Sequence, residues 1–431
     1  MYIRAYYVEP SNLRNMMPTI LHLSQLIRSA LVDSAGEQLG RVEDVIVRLE
    51  DEGLPVVTGI KARIGGRELF VPAERIADLE RGSIRLSKDK LDLGRFERRP
   101  GEILLGEDVL RHRLIDVQGA RLVTAHDVEL EQMDGQWRVT GILTGRRTAL
   151  QSIMRRAGEH REGEAAIAWN QLEPFVGHVP TSRLRIGSRR LAKLHPAQIA
   201  DLVEAASHDE GEEIIQAVGS DRELEADIFE ELDDEHQVEF LTDRSDQDAS
   251  ALIARMATDD AADLIAELPQ ERRASVLAFL PAARQRQIKA LLGYNPRTAG
   301  GLMSPEFVAV AVTGTATDAI AAARASECPD EALGIILLVD ASGQLAGAVP
   351  TLALLRASPD VPLTELATGE VQVVRADAEL LEIARLMSDF NLTALPVIDD
   401  EQRPIGVVTV DDVLELVLPH DWRSRQRISN D

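Results

Sequence analysis

Three carboxylates stand close together at Asp259, Asp260 and Asp263, and Asp412 and Glu415 stand three residues apart near the end of the chain. Asp259 and Asp263 are four apart, so a helix would bring both onto one face. Carboxylates are hard oxygen donors that repel one another: two charges 4 Å apart repel by about 4 kcal/mol at an effective dielectric near 20. A divalent cation removes that barrier, and cation binding is the chemistry this pattern offers. Thr409 precedes Asp412 by three residues, and a hydroxyl with a carboxylate suits the two hydroxyls of a ribose. Plainer readings stand beside these. An acidic helical face serves solubility, and Asp412 reads equally well as a helix cap.

The elements that must position these residues are numerous. The chain has 431 residues, enough for about three domains at roughly 150 residues each. Its net charge of −25 is unevenly spread: residues 1–190 hold 29 basic and 27 acidic residues, which leaves 18 and 45 for residues 191–431. That balance excludes nucleic acid and anionic membranes as electrostatic partners of the chain as a whole. The longest apolar run, Leu333 to Val339, ends at Asp340, far short of a transmembrane segment. The opening residues do not read as a secretory signal, and the single cysteine, Cys328, excludes a disulfide framework and a cysteine-based zinc site. A cytoplasmic setting is expected. No nucleophile-elbow, phosphate-loop or H-E-x-x-H pattern occurs and the nine histidines are scattered, so no enzyme is expected.

Repeats organise the sequence. At an offset of 83, Val32-Asp33-x-x-Gly36-x-x-Leu39 falls on Ile115-Asp116-x-x-Gly119-x-x-Leu122, and Asp44-Val45 on Asp127-Val128. Asp-x-x-Gly between alternating apolar runs is turn chemistry, so each copy reads as a β-meander. From residue 193 to about 294, Asp209, Asp221, Asp234, Asp246 and Asp259 open short amphipathic runs 12 or 13 residues apart. Asp is a good N-cap, and helices this short must stack on their neighbours, which gives a solenoid. In the last segment, Leu338-Val339-Asp340-x-x-Gly343 falls on Val397-Ile398-Asp399-x-x-Gln402 at an offset of 59, each copy preceded by an amphipathic helix.

These patterns resemble known families. The first pair resembles the PRC-barrel, a small β-barrel of photosynthetic reaction-centre subunits and RNA-processing proteins, where it is an interaction module. The last pair resembles tandem cystathionine-β-synthase (CBS) domains. Leu194-His195-Pro196-Ala197, Asp259-Asp260-Ala261-Ala262-Asp263 and Thr298-Ala299-Gly300-Gly301-Leu302-Met303, with the CBS pair, resemble the cytosolic half of the MgtE magnesium channels. That resemblance implies Mg2+ bound between an acidic solenoid and a CBS homodimer. The implied ligands are Asp259, Asp260 and Asp263 on the solenoid, and Glu379, Asp412 and Glu415 on the CBS face. The CBS likeness also implies an adenosine nucleotide, ATP or AMP, held by Thr409 and Asp412. Asn391 stands where the family usually has Asp, which weakens the ion set. After the second CBS copy Pro419 and a basic tail replace the family's acidic connecting helix.

The expected fold is multidomain α+β: tandem small β-barrels, an all-α helical solenoid and a tandem α/β CBS pair. The expected boundaries are an extension at 1–19, barrel copies at 20–100 and 101–160, and a linker at 161–190. The solenoid at 191–303, CBS copies at 304–360 and 361–420 and a tail at 421–431 complete it. The expected function is a Mg2+-sensing regulator in which the solenoid closes on the CBS pair. An adenosine-nucleotide sensor, and a scaffold whose barrels recruit a protein partner, are the alternatives.

Overall fold

The computed structural model describes residues 20–49, 53–87, 95–144, 166–175, 188–326, 328–367 and 369–418. The expected extension at 1–19, the tail at 421–431 and most of the linker lie outside the described residues. The chain divides into two compact units, one ending at Ile228 and the other starting at Phe229.

The first unit is built on β-strands that alternate apolar and polar residues. The first copy supplies β1 (Ile20–His22), β2 (Ala30–Val32), β3 (Gln38–Arg48), β4 (Val56–Ile64), β5 (Arg67–Pro72), β6 (Ile76–Glu80) and β7 (Ser83–Leu86). The second supplies β8 (Glu102–Leu104), β9 (Arg113–Asp116), β10 (Arg121–Thr124), β11 (Asp127–Met133) and β12 (Gln136–Leu143). After them come β13 (Ile167–Ala168) and β14 (Leu172–Pro174), which pair with β12 and β9. Residues 166–175, expected in the linker, therefore complete the second copy.

The two copies interlock. Strands from both join one 11-stranded sheet, through β12 against β4 at Arg138↔Val56. β1 of the first copy pairs with β11 of the second, and β8 of the second pairs with β3 of the first. The Asp-Val coincidence seen in the sequence marks the same exchange. Buried Asp44 accepts backbone N–H bonds from Gly106 (2.7 Å) and Glu107 (2.9 Å), opening the second copy's short helix Leu105–Val109. Buried Asp127 accepts from the N–H (3.0 Å) and hydroxyl (2.5 Å) of Ser24 in α1 (Leu23–Leu26) of the first copy. Each copy thus satisfies the open helix end of the other, where N–H groups have no partner within their own helix. The buried core runs through both copies, from Leu23 and Leu31 to Val128 and Ile142.

Short helices follow: α2 (Ser188–Leu191), α3 (Pro196–Glu204), α4 (His208–Val218) and α5 (Arg222–Glu230). Pro196 begins α3 at a position whose N–H is not needed, as the His-Pro pair predicts. Arg113 of β9 holds Glu210 (3.1 Å) and Arg190 holds Glu173 (3.2 Å), tying these helices to the barrel.

The second unit holds its own run of short helices, α6 (Asp234–Thr242), α7 (Asp246–Ile253), α8 (Thr258–Glu267), α9 (Gln270–Phe279) and α10 (Ala282–Leu291). The expected aspartate caps are corrected in register. Ser207, Asp233 and Ser245 accept the N3 backbone N–H, and only Asp221 caps as expected. Asp209, Asp234, Asp246 and Asp259 lie inside the first turn, where they suit the helix dipole instead.

The Thr298–Met303 junction holds α11 (Ala299–Leu302), whose first N–H groups bond Ala378 O (2.9 Å) and Ala376 O (2.8 Å). A Cβ at Gly300 would lie 2.6 Å from the Tyr294 ring and one at Gly301 2.4 Å from Asn295 O, so the chain can only cross here with glycine. The CBS copies then repeat one plan. In the first, β15 (Ala309–Ala311), α12 (Ala316–Ala325), β16 (Ile335–Val339) and β17 (Leu345–Pro350) lead into α13 (Thr351–Arg356) and α14 (Leu363–Leu366). In the second, β18 (Val374–Arg375), α15 (Leu380–Phe390), β19 (Ala394–Ile398) and β20 (Pro404–Thr409) lead into α16 (Val410–Val417). Both three-stranded sheets pair parallel then antiparallel, with matching register shifts at Leu338/Val339 and Val397/Ile398. Gln402 takes the left-handed conformation (φ +63°) that Gly343 (φ +82°) takes in the first copy.

Candidate functional site

Helix α8 lacks a capping side chain. Ala257 sits at the cap position, and its own N–H goes to Glu230 Oε1 (2.5 Å). Buried Thr258 donates its hydroxyl to Glu306 Oε1 (2.6 Å), and Glu306 also receives Gln287 (3.0 Å) and Ser304 (3.2 Å) and pairs with Arg284 (3.3 Å). Glu306 therefore links α8 and α10 to the segment entering the first CBS copy. These anchors fix the turn that carries Asp259, Asp260 and Asp263.

Across from that turn stands the start of α16. Thr409 N–H (3.2 Å) and hydroxyl (2.5 Å) both donate to Asp412 Oδ2, a reciprocal helix cap. No protein donor among the described residues reaches Asp412 Oδ1.

Electrostatics join the two sides. Burial pushes the Asp259 carboxyl up to about 8, with Asp412, Glu306 and Asp263 adding like charge. Asp260 is raised by burial, then by Asp259, Glu230, Asp412 and Glu415. Asp263 rises to about 6 through burial, Asp234, Glu267, Glu415 and Asp412. Asp412 is itself raised by burial, against the lowering effect of Thr409. Asp259 and Asp260 are half-buried, and Asp263 is crowded by protein atoms on one side while its outer side meets solvent. Asp259 Oδ1 is buried with no hydrogen-bond partner among the described residues. A buried carboxylate oxygen without a donor is costly, so this atom is where a cation gains most.

Of the expected ligands, Asp412 lies near enough to raise the carboxyls of Asp259, Asp260 and Asp263, and Glu415 near enough to raise those of Asp260 and Asp263. Glu379 is not among these neighbours: it is the exposed cap residue of α15, bridged through its backbone to Thr298. Glu306 and Glu230 were missed by spacing alone, since each is far in sequence from Asp259. Asn391 is the left-handed C-cap of α15 (φ +51°), which accounts for an amide there. Among the described residues no three His, Cys, Asp or Glu side chains converge into a ready-made metal shell. The donor chemistry fits a hard divalent ion that retains most of its water.

Comparisons with known proteins find likenesses to three segments of the chain. Residues 194–297 match the MgtE intracellular N domain, 363–419 the CBS domain and 18–93 the PRC-barrel domain. The first CBS copy lies outside the matched span and shares its strand pairing. Over 131 residues the chain is 39% identical to the magnesium transporter MgtE of Thermus thermophilus and 28% identical to that of Enterococcus faecalis. Each match covers 30% of this chain and 29% of the relative, so the chain spans under a third of these relatives. Two solved structures are similar over 53% of this chain. One is the soluble part of a magnesium transporter (23% identity, 90% of that chain, TM-score 0.48). The other is the cytosolic domain of the Mg2+ channel MgtE in complex with ATP (29% identity, 94% of that chain, TM-score 0.48). Among the described residues no helix is long and apolar enough to cross a membrane. Three segments of the chain are thus similar, in chain order, to a PRC-barrel domain, an MgtE intracellular N domain and a CBS domain.

Proposed function

We propose that the unit from Phe229 onward is a Mg2+-responsive regulatory element, cytoplasmic and without catalysis of its own. The carrying observation is the donorless, buried Asp259 Oδ1 among the raised carboxylates of Asp260, Asp263 and Asp412. The likeness to magnesium transporters names the ion. Without the cation the carboxylates of α8 and α16 repel, and with it the closed arrangement is favoured. A shift from 1:99 to 99:1 needs about 10⁴-fold preference for the closed form, which several weakly held ions supply jointly. Exposed Leu352, Leu355, Leu414 and Val417 on α13 and α16 support assembly as a homodimer through the CBS copies. The barrels are read as an interaction module for a protein partner.

The nucleotide reading has weaker support. Thr409 is buried and its hydroxyl is committed to Asp412, so a ribose would have to break the α16 cap. Calorimetric titration of the full chain with Mg2+, ATP and AMP separately, followed by small-angle scattering, tests the choice. Mg2+ binding with compaction is the expected result. Heat from nucleotide alone with an unchanged envelope would refute it.

A further inference from the structure

A recess of about 680 Å³ in the barrel unit is lined by Ile27, Arg28, Arg41, Glu43, Asp44 and Lys61 among others. A second of about 330 Å³ shares Ile27, Glu43, Asp44 and Glu107 with it and adds Leu110 and Arg111, so the two form one groove. The groove crosses the junction of the interlocked copies: Ile27 and Leu110 are 83 apart, as are Arg28 and Arg111. Both arginines adopt the same left-handed backbone, φ +69°, and donate their N–H groups to Val42 O (2.9 Å) and Ala125 O (2.7 Å), again 83 apart.

Glycine makes such a turn without strain, and here each copy carries an arginine instead. Both side chains are exposed, and neither has an ion-pair or hydrogen-bond partner among the described residues. Arg41 likewise has none. The other charges in the groove are already matched. Arg63 holds Glu43 (2.5 Å), Lys61 holds Glu68 (3.1 Å), Arg98 holds Glu107 (2.9 Å), and Asp44 accepts three backbone N–H groups. What remains is positive charge on both sides of an opening whose size suits a small ligand. A guanidinium presents a planar fork that fits phosphate or carboxylate with two hydrogen bonds.

We propose that this groove binds a small two-headed anion, each head a phosphate or a carboxylate, held by Arg28 and Arg41 on one side and Arg111 on the other. The test is calorimetric titration of the full chain in magnesium-free buffer with pyrophosphate and, separately, with succinate. Saturable binding of at least one is expected, and the stronger arm identifies the head group. R28G and R111G should each weaken binding at least about tenfold while leaving the melting temperature unchanged or raised, and R85A, outside the groove, should bind normally. R28K and R111K keep the charge and lose the fork, so they should lose less than the glycine variants. Absence of saturable binding for both anions, or equal affinity in the wild type, glycine and lysine variants, overturns the proposal.

Discussion

Asp44 and Asp259 are both poorly solvated aspartates near helix starts, and they meet opposite surroundings. Asp44 accepts from Val45, Gly106 and Glu107, so its oxygens are filled by backbone donors. Asp259 has an oxygen with no donor and carboxylates for neighbours. The first is a structural carboxylate that joins two copies of a barrel. On the proposed function the second is a cation ligand, and the two differ not in burial but in how many donors each accepts from.

The widest test of that contrast is metal affinity. Asp259→Asn should weaken Mg2+ binding on the order of 100-fold, because losing one carboxylate near a divalent ion costs about 3 kcal/mol. Asp44→Asn should leave the titration unchanged, and a loss comparable to that of Asp259→Asn would erase the distinction. Stability should then move in opposite directions. Asp44→Ala strands three N–H groups and should destabilise the barrel unit by about 3 kcal/mol, read by urea denaturation. Asp259→Asn in magnesium-free buffer should stabilise by about 1 kcal/mol, since an amide has no charge to desolvate and need not take up a proton on folding.

Asp44 and Asp259 also respond to pH over different ranges. Both groups have folded-state values above the ordinary carboxylate, about 8 for Asp259 and about 6 for Asp44, so the folded chain binds more protons than the unfolded one in those windows. Stability must fall as pH rises. For Asp44 the fall runs from about pH 4 to 6, and for Asp259 it extends to about pH 8. Melting curves between pH 5 and 8 without Mg2+ should decline, and saturating Mg2+ should flatten the upper part, because the ion replaces the proton. A decline that Mg2+ leaves untouched would place the raised carboxylates outside the binding site. The smallest effect belongs to the exchanged contact at α1. Ser24→Ala removes the hydroxyl donor to Asp127 and should cost about 1 kcal/mol, with Mg2+ affinity unchanged.

Much of this was legible beforehand. The offset of 59 gave the CBS pair, including Gln402 in the slot of Gly343. The acidic spacing located Asp259, Asp260 and Asp263, and the Thr409–Asp412 spacing located a cap as well as a candidate site. Apart from Asp221, the helix caps fall one or two residues before the aspartates that the spacing marks, and at Ser207 and Ser245 the serine outcompetes the acids beside it for the extended cap position. The Asp44-Val45 and Asp127-Val128 coincidence was visible as a repeat. Its meaning was hidden, since a repeat shows that two segments fold alike and not which one caps the other.

The sequence by itself determined local matters: where turns fall, which faces are apolar, where carboxylates crowd along a helix, and which families the segments resemble. Those follow from interactions a few residues long. Only the tertiary structure decided that β1 belongs beside β11, that Glu306 anchors Thr258, and that Glu415 lies near enough to raise the carboxyls of Asp260 and Asp263 while Glu379 is the cap residue of α15. These depend on chain closure over tens to hundreds of residues, where burial and donor count set the energy of a charge, and neither is written in the neighbours along the chain.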